Sequence, residues 1–532
     1  MAVWIGFGGS LYLFKSNTIL LDIKSNIEQI NSKATRFKGA DNQNYSRGAY
    51  SLMKDRLENL NKVFKPKSIA FIGATDDKGK WGFIVFNNIL SGGFEGKLYP
   101  VNPSREKVQG LKAYPSIQDI SGEVDLAVFT VPAPQVLEAI DDCVAKKVKA
   151  GVIISAGFKE VGGVRADLEF EMVARARAGG MILVGPNGQG VICPAHNLYS
   201  WMPLFYPPSG RVAVISQSGN IQSLIIGRML SAGFGSSKGV SSGNEADLKT
   251  EDYLDYLAHD PETEVVISYV EGVINGRRFF EAARKVTEKK PLVILQGGRT
   301  KSGQRAATSH TGAMAVSDDL FQASCRQSGI TSVRTINDAG IVAASFINRP
   351  LPQGKRIGII TGGGGLGVIA SDICTDEGLE VVRFSPDTLK EIGEMMPDWW
   401  VPGNPIDMVG ALQFTAFRVI IETIVKSGEI DAVLLLLMGP SGKAAPRPRN
   451  SKGIDMSGAW DKMTDEVISQ IKSLYDLMME SRIPFYPIAN QIESMPVKGN
   501  EKQMMVYRTI DSACRTISAM VNYAEYRKSK KL

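Results

Sequence analysis

His310 stands in Thr308-Ser-His-Thr-Gly-Ala313 and is one of only three histidines in 532 residues. Small and hydroxylated residues flank it, and a polar, cationic run from Gly297 to Arg305 precedes it. A neutral imidazole in such a setting can attack phosphorus, because small neighbours let a phosphoryl group approach and their N–H groups can hold its oxygens. Taken alone, the string is explained more cheaply by a loop histidine with no chemistry. Its weight depends on what else the chain supplies.

Two further segments could handle an anion. Arg211-Val-Ala-Val-Ile-Ser216-Gln-Ser-Gly219 lines up with Arg356-Ile-Gly-Ile-Ile-Thr361-Gly-Gly-Gly364. In each, a hydroxyl residue ends an apolar strand, glycine follows, and the next helix is expected to end near a glycine, Gly233 or Gly378. A strand, a glycine turn and a helix start direct unpaired N–H groups and the positive dipole end to one spot. Tight strand-to-helix turns need glycine in any case. Two at matching positions suggest two flavodoxin-like domains, each offering half of a phosphate pocket.

The elements that must carry these groups are those of an α/β protein. From Pro66 onward, short β-branched runs alternate with helical stretches. Strands are expected at Ser68–Thr75, Lys97–Val101, Leu126–Val131, Ala150–Ser155 and Met181–Val184, with a helix over Trp81–Ser91. A doubly wound sheet binds ligands at the carboxyl ends of its strands. Those ends here carry Gly73-Ala74-Thr75, Asn102-Pro103, Val131-Pro132, Ser155-Ala156-Gly157 and Pro186-Asn187-Gly188. The first turn lacks a full G-x-G-x-x-G, and Asn102-Pro103 stands where a ribose-binding acid would be. The pattern therefore predicts a Rossmann-like fold but argues against a nicotinamide dehydrogenase.

Composition narrows the classes further. The net charge of +6 is spread along the chain, with no basic block beyond Lys528–Lys531, so no nucleic-acid partner is expected. Five scattered cysteines without a CxxC pair read as free thiols in a reducing cytoplasm, and no metal site is expected. Residues 2–14 are apolar but too short to span a bilayer, so stable membrane insertion is not expected. Residues 1–61 read as an extension of uncertain order, helical from Tyr50 to Val63, with Met53 an alternative first residue.

Eleven strings, in order, resemble the α subunit of the nucleoside-diphosphate-forming acyl-CoA synthetases, the group of ADP-forming acetyl-CoA synthetase and, more distantly, succinyl-CoA synthetase. They are Phe64–Thr75, Tyr99–Pro103, Gly185–Gly188, Ser216–Gly219, Ser242–Asn244, Glu271-Gly272, Gly276-Arg277, Arg299-Thr300, Ser309–Ala313, Thr361–Gly365 and Asn404–Asp407. The resemblance implies a CoA-binding Rossmann-like domain over 62–206, a flavodoxin-like domain with a phosphohistidine loop over 207–350, and a second flavodoxin-like domain over 354–528. It implies that acyl-CoA, phosphate and ADP interconvert with a small carboxylic acid, CoA and ATP through acyl phosphate and phosphohistidine. Carried over by motif, His310 is the nucleophile and Glu271 the carboxylate that orients it. Ser216, Gln217, Ser218 and Gly219 would hold phosphate from one side and Gly363, Gly364 and Gly365 from the other, with Asn244 an added donor. Coenzyme A would meet Gly73, Ala74, Thr75, Lys78, Lys80, Asn102 and Pro103 at its nucleotide end. Val131, Pro132, Ser155, Ala156, Gly157 and Asn187 would line its path.

After residue 350 nothing is long enough for an ATP-grasp domain. The resemblance therefore implies an ATP-grasp β subunit that binds ATP or ADP and magnesium, in an α2β2 or α2 assembly in the cytoplasm. A histidine that carries phosphate between sites needs a moving segment, expected in Gly297–Thr311. Departures from the family pattern fall at Gln189, Ser241-Ser242 and Met314, where they could reshape the acyl pocket. Trp201, Phe205, Tyr206, Trp399 and Trp400 could favour an aryl or branched acid. Residues 440–462 read as a flexible basic loop. The alternative from another class is a CoA-binding regulatory protein without turnover; retention of both His310 and Glu271 argues against it.

Overall fold

The computed structural model describes residues 3–7, 10–14, 56–311, 317–408, 414–436, 469, 474–489, 494–498 and 502–532. For residues 3–7, 10–14, 307–311, 414–415, 494–498 and 502 the description extends to the backbone alone. Residues 1–58 and 59–532 form two compact units. In the first, Val3–Phe7 pairs antiparallel with Ser10–Phe14. Residues 56–64 are helical, so the helix expected from Tyr50 is described only in its second half. The 440–462 segment lies outside the described residues.

Three larger sheets organise the described residues of the second unit, beside two small antiparallel pairs, Lys107–Val108 with Leu111–Lys112 and Ser494–Lys498 with Lys502–Met505. In the first, β1 (Ser68–Ile72), β2 (Lys97–Val101), β3 (Leu126–Phe129), β4 (Ala150–Ile153) and β5 (Ile182–Val184) lie parallel in the order β2-β1-β3-β4-β5. Every residue of β1 is buried, as a strand covered on both faces requires. Helices α1 (Trp81–Ser91), α2 (Ala133–Ala145) and α3 (Val164–Ala178) follow β1, β3 and β4. The order of travel reverses between β1 and β3, which opens a crevice beyond Gly73 and Thr130.

The second sheet repeats this plan. Its parallel strands β8 (Ser209–Ser216), β9 (Ser236–Ser241), β10 (Val265–Val270), β11 (Leu292–Gln296) and β12 (Thr331–Val333) run β9-β8-β10-β11-β12. An antiparallel pair, β6 (Gly190–Cys193) and β7 (Leu198–Trp201), extends the β9 edge. The switch point lies between β8 and β10, whose ends lead into Ser216–Gly219 and Glu271. Helices α4 (Gly219–Ser231), α5 (Thr250–Leu257), α6 (Gly276–Thr287), α7 (Lys301–Thr311), α8 (Asp318–Ser328) and α9 (Ile336–Ser345) surround it.

The third sheet is centred on β13 (Arg356–Thr361), which pairs with Glu380–Val381, Ile406–Asp407 and Ala432–Leu436. Helix α10 (Gly364–Asp376) follows β13, and the C-terminal helix α11 (Ile510–Ser529) packs against both α9 and α10. One apolar core runs through the second and third sheets, with Val214, Ile267, Ile359, Leu434 and Ile517 among its members. The sequence repeat is visible in atomic detail. Ser216 Oγ donates to Ser218 O and accepts from Ser218 N, while Thr361 Oγ1 does the same with Gly363. Gly233 and Gly378, which follow the two helices, adopt φ of +77° and +74°, where a side chain would be strained.

No described helix is long and apolar enough to cross a membrane. All five cysteines are buried free thiols.

Candidate active site

Two cavities open at the crevice of the first sheet. One, of about 510 Å³, is lined by Gly73, Asn102, Pro103 and Val131 together with Ser116 and Gln135. Gly73 has φ +94°, and a Cβ there would lie 2.8 Å from Thr130 Oγ1, so only glycine lets the chain turn this close to β3. Asn102 is spent on the turn, donating to Ala74 O at 2.8 Å and accepting from Ser104 N at 2.9 Å. Lys78 and Lys80 are exposed, and Lys80 stands 3.6 Å from Asp77.

The other cavity, of about 380 Å³, joins the two sheets. Ser155, Ala156 and Asn187 reach it from the first sheet, and Gln217, Ser218, Gly219 and Asn244 from the second. Trp81, Gln189 and Met202 complete its wall. Among the described residues, no charged side chain lines it. An anion entering it would meet neutral dipoles, chiefly the N–H groups in the first turn of α4, which no helix carbonyl can satisfy. Gln189 donates to Asn220 Oδ1 at 2.7 Å and packs so closely that a Cβ on Gly219 would lie 2.1 Å from its Cγ.

Two predicted donors turn out to be committed to the protein. Asn244 Nδ2 donates to Glu160 Oε2 at 2.6 Å and Glu169 Oε2 at 2.8 Å, and its Oδ1 accepts from Asn187. Burial alone would raise the Glu160 carboxyl, but this amide and the N–H groups of Gly157 and Phe158 bring it below the usual range. Gln217 Oε1 accepts from the N–H of Glu271 at 2.6 Å and of Gly272 at 3.3 Å. Its Nε2 donates to Gly272 O at 3.0 Å and Glu245 Oε2 at 3.1 Å. The side chain of Gln217 thus clamps the Glu271 peptide, which removes it as a phosphate donor.

Glu271 is held at its carboxylate as well. The Tyr269 hydroxyl is its hydrogen-bond donor, and burial together with that negative charge pushes the phenol well above its ordinary range. Gly297, at the end of the neighbouring strand, makes room for the pair: a Cβ there would lie 2.6 Å from Tyr269 Oη and 3.4 Å from Glu271 Cγ.

Other expectations need correction. The Gly297–Thr311 segment is not a loop throughout, because Lys301–Thr311 is helical and His310 falls in its last turn. Thr300 Oγ1 accepts from Gly303 N at its start, and Gln304, Arg305, Ala306 and Ala307 are good helix formers. The His310 side chain lies outside the described positions, as do residues 312–316. Gly363–Gly365 do not line the cavity of Ser218 and Gly219. A Cβ on Gly364 would instead lie 2.9 Å from Asp407 Oδ2, so a carboxylate faces the start of α10 where phosphate was expected. Trp201 is fully buried and stacks edge-on with Phe205, so this pair serves the core rather than an acyl pocket, whereas Tyr206 is exposed and its hydroxyl donates to Asn88 Oδ1 at 3.0 Å.

Sequence reasoning missed Glu245, Tyr269 and Glu160. Glu160 and Glu245 matter through their bonds to Asn244 and Gln217, 84 and 28 residues away, which no local pattern announces; Tyr269 stands only two residues from Glu271, and the left-handed turn at Glu245 (φ +51°) follows a Gly-Asn pair. A cavity of about 600 Å³ near Arg277, Arg284, Arg326 and Lys530 contains none of the predicted site residues. Three of its cations end α6, α8 and α11, where they offset helix dipoles. Among the described residues, one cluster, Cys193, His196 and Glu262, has metal-ligand types in reach. Its carboxylate is already bound by Lys65 at 2.6 Å and Lys238 at 2.7 Å, so it reads as an ion-pair network.

Comparison with known proteins bears on the whole arrangement. Residues 67–194 match a CoA binding domain, 209–346 a succinyl-CoA ligase like flavodoxin domain, and 357–439 a ligase-CoA domain. The α subunit of acetate–CoA ligase [ADP-forming] II from Pyrococcus furiosus is 37% identical over 396 residues, 74% of this chain and 86% of that protein. The corresponding α subunit of ligase I is 36% identical over 80% of this chain and 94% of its own length. The chain belongs to the ADP-forming acetate–CoA ligase α-subunit family. This ligase therefore joins acid to thiol in the ADP-forming acyl-CoA synthetase reaction, on a CoA-binding Rossmann-like domain followed by flavodoxin-like domains. That sets the binding-only alternative aside.

A solved relative overturns one expectation. The dinucleotide forming acetyl-coenzyme A synthetase 1 of Ca. Korarchaeum cryptofilum, in complex with phosphate and ADP, superposes with a TM-score of 0.76 at 33% identity, covering 89% of this chain and 99% of that one. Placing ATP or ADP and magnesium mainly on a separate partner does not stand for the ligase. That inference rested on missing chain length after residue 350, which does not decide where a nucleotide binds.

Proposed function

We propose that the ligase works by a histidine relay. Phosphate attacks the acyl-CoA thioester and releases CoA; the acyl phosphate passes its phosphoryl group to His310 and frees the acid; His310 passes it on to ADP. Glu271 orients the imidazole and stabilises the charge it gains. Ser216 shapes the turn by binding the Ser218 N–H, and Ser218 offers its hydroxyl and Gly219 its backbone N–H to the phosphate. CoA lies over Gly73, Asn102, Pro103 and Val131 and reaches the joint cavity past Ser155, Ala156 and Asn187.

The observation that carries the reading is the joint cavity itself. There the strand ends of the CoA-binding sheet meet the start of α4, and Gln217 ties that turn to Glu271. The domains are assigned to 62–206, 207–350 and 354–528. A β subunit of ATP-grasp fold, in an α2β2 assembly in the cytoplasm, completes the enzyme; both Pyrococcus relatives are named as α subunits. The substrate is a small carboxylic acid.

The test is to incubate the chain, with and without its co-expressed partner, with radiolabelled ATP and magnesium. Acid-labile, alkali-stable label that disappears in His310→Ala is the expected result. Unchanged label in that variant would overturn the relay.

A further inference from the structure

The clamp on Glu271 has a second layer. Glu245 is buried and accepts three hydrogen bonds, from Ser242 Oγ at 2.8 Å, Thr250 Oγ1 at 2.6 Å and Gln217 Nε2 at 3.1 Å. Its backbone is left-handed, and Lys249 donates to its carbonyl oxygen. Burial pushes the Glu245 carboxyl above its ordinary range, while the bonds from Thr250, Ser242 and Gln217 favour its ionised form; ionised, it can only accept, and so dictates which end of the Gln217 amide faces it. With Nε2 turned to Glu245, Oε1 must face the N–H groups of Glu271 and Gly272. The main-chain N–H of Gln217 donates to Tyr269 O at 3.2 Å, so the residue grips β10 at Tyr269 and the turn beyond it at Glu271 and Gly272.

We propose that Gln217 and Glu245 are positioning residues of the phosphoryl-transfer site: the buried carboxylate sets the polarity of the amide, and the amide fixes the Glu271–Gly272 peptide. This rests on the reading of Glu271 as the partner of His310. Gln217 touches no reacting atom in this role. It acts by holding the carboxylate in place, and a misplacement of about 1 Å can cost about a hundredfold in rate. The donor–acceptor order also makes the arrangement all-or-none. Reversing the amide would set N–H against N–H at Glu271 and oxygen against oxygen at Glu245, leaving buried groups unpaired.

Isosteric substitution exposes that polarity. In Gln217→Glu one oxygen can still accept from Glu271 N–H, but the other meets the Glu245 carboxylate and Gly272 O. Two carboxyls at that distance cannot both stay ionised, and a single shared proton restores the missing donor. The experiment measures the initial rate of His310 labelling from radiolabelled ATP and magnesium in the assembled enzyme, from pH 6 to 8, with CoA binding followed by calorimetry as a check of folding. Gln217→Leu is expected to label about a hundredfold more slowly at every pH, with CoA affinity unchanged. Gln217→Glu is expected to be similarly slow at pH 8 and to recover towards pH 6, relative to the unsubstituted enzyme.

A wild-type rate in Gln217→Leu overturns the proposal, as does a Gln217→Glu profile parallel to that of the unsubstituted enzyme. Glu271→Gln separates the two levels. If it is slow while Gln217→Leu is not, the clamp alone falls. If Glu271→Gln labels at the wild-type rate, the role of Glu271 falls and the clamp with it.

Discussion

Adding one methyl group at Gly297 should disable phosphoryl transfer through a residue that never meets substrate. The new Cβ would stand 2.6 Å from Tyr269 Oη, about 0.8 Å short of an ordinary contact at 3.4 Å. The phenol cannot simply swing away, because its ring packs against the main core and its hydroxyl is bonded to Glu271. Overpacking of this kind costs about 1–3 kcal/mol, and a hydrogen bond to a charged group contributes about 1.5–3 kcal/mol. Gly297→Ala is therefore expected to slow His310 labelling by about a hundredfold, with CoA affinity retained. The reasoning is tested by a second substitution. Tyr269→Phe deletes the clashing oxygen and leaves Cζ as the nearest atom at 3.2 Å, about 0.2 Å short. Most of the strain then vanishes, so the double variant should be faster than the product of the two single effects allows, by at least about 1 kcal/mol of coupling. Labelling rates of the four proteins, converted to activation free energies, measure it. Additivity within about 0.5 kcal/mol, or a wild-type rate in Gly297→Ala, would refute the argument.

Further outcomes follow from the same geometry. Gly73→Ala, forced into φ +94° against Thr130, should weaken CoA binding at least about tenfold by calorimetry, since such backbone strain costs about 1–3 kcal/mol. In Gly219→Ala the Gln189 side chain must leave its place, so acyl-CoA should lose affinity while free CoA keeps its own. Lys238→Met strands the buried Asp260 carboxylate and should cost about 3–5 kcal/mol, seen as a lower melting temperature. Burial opposes ionisation of Glu262, but Lys238 and Lys65 outweigh it and hold the carboxyl down at about 2 from 4.5. A carboxyl lowered in the folded state stabilises above its unfolded value, so the contribution is complete above pH 4.5 and fades as the pH falls towards 2. The melting-temperature gap between the protein and Glu262→Gln should close over that window.

The fold was legible because its signals are local. Trp81–Ser91 is helical over the whole expected span, and each expected strand of the first sheet is present, four of them one to three residues shorter. The paired hydroxyl turns at Ser216 and Thr361 could be read because strand, turn and helix lie within a dozen residues of one another. The wiring of the site could not. Gln217 looks like a phosphate donor in sequence, and only the approach of β10 and of the Glu245 turn shows its amide to be occupied. Asn244 was obscured in the same way by Glu160 and Glu169, 84 and 75 residues away. For Gly363–Gly365 the glycine pattern was correct for a turn, but not for the neighbour it would face.

Asn244 and Glu245 are consecutive residues with opposite allegiances. One fastens to Glu160, whose carboxylate also caps the Ser155–Gly157 turn of the CoA-binding sheet; the other fastens to Gln217 and, through it, to Glu271. On the proposed relay, the residues assigned to the thioester path and those assigned to phosphoryl transfer thus meet in this one dipeptide. Whatever free energy an arriving acyl-CoA spends in shifting that dipeptide is felt as a change in the stability of the phosphorylated state. Thermodynamic reciprocity requires the converse in equal measure: phosphorylation must alter thioester affinity by the same factor. A synthetase that runs in both directions would then use one short span of backbone to keep its two half-reactions in step.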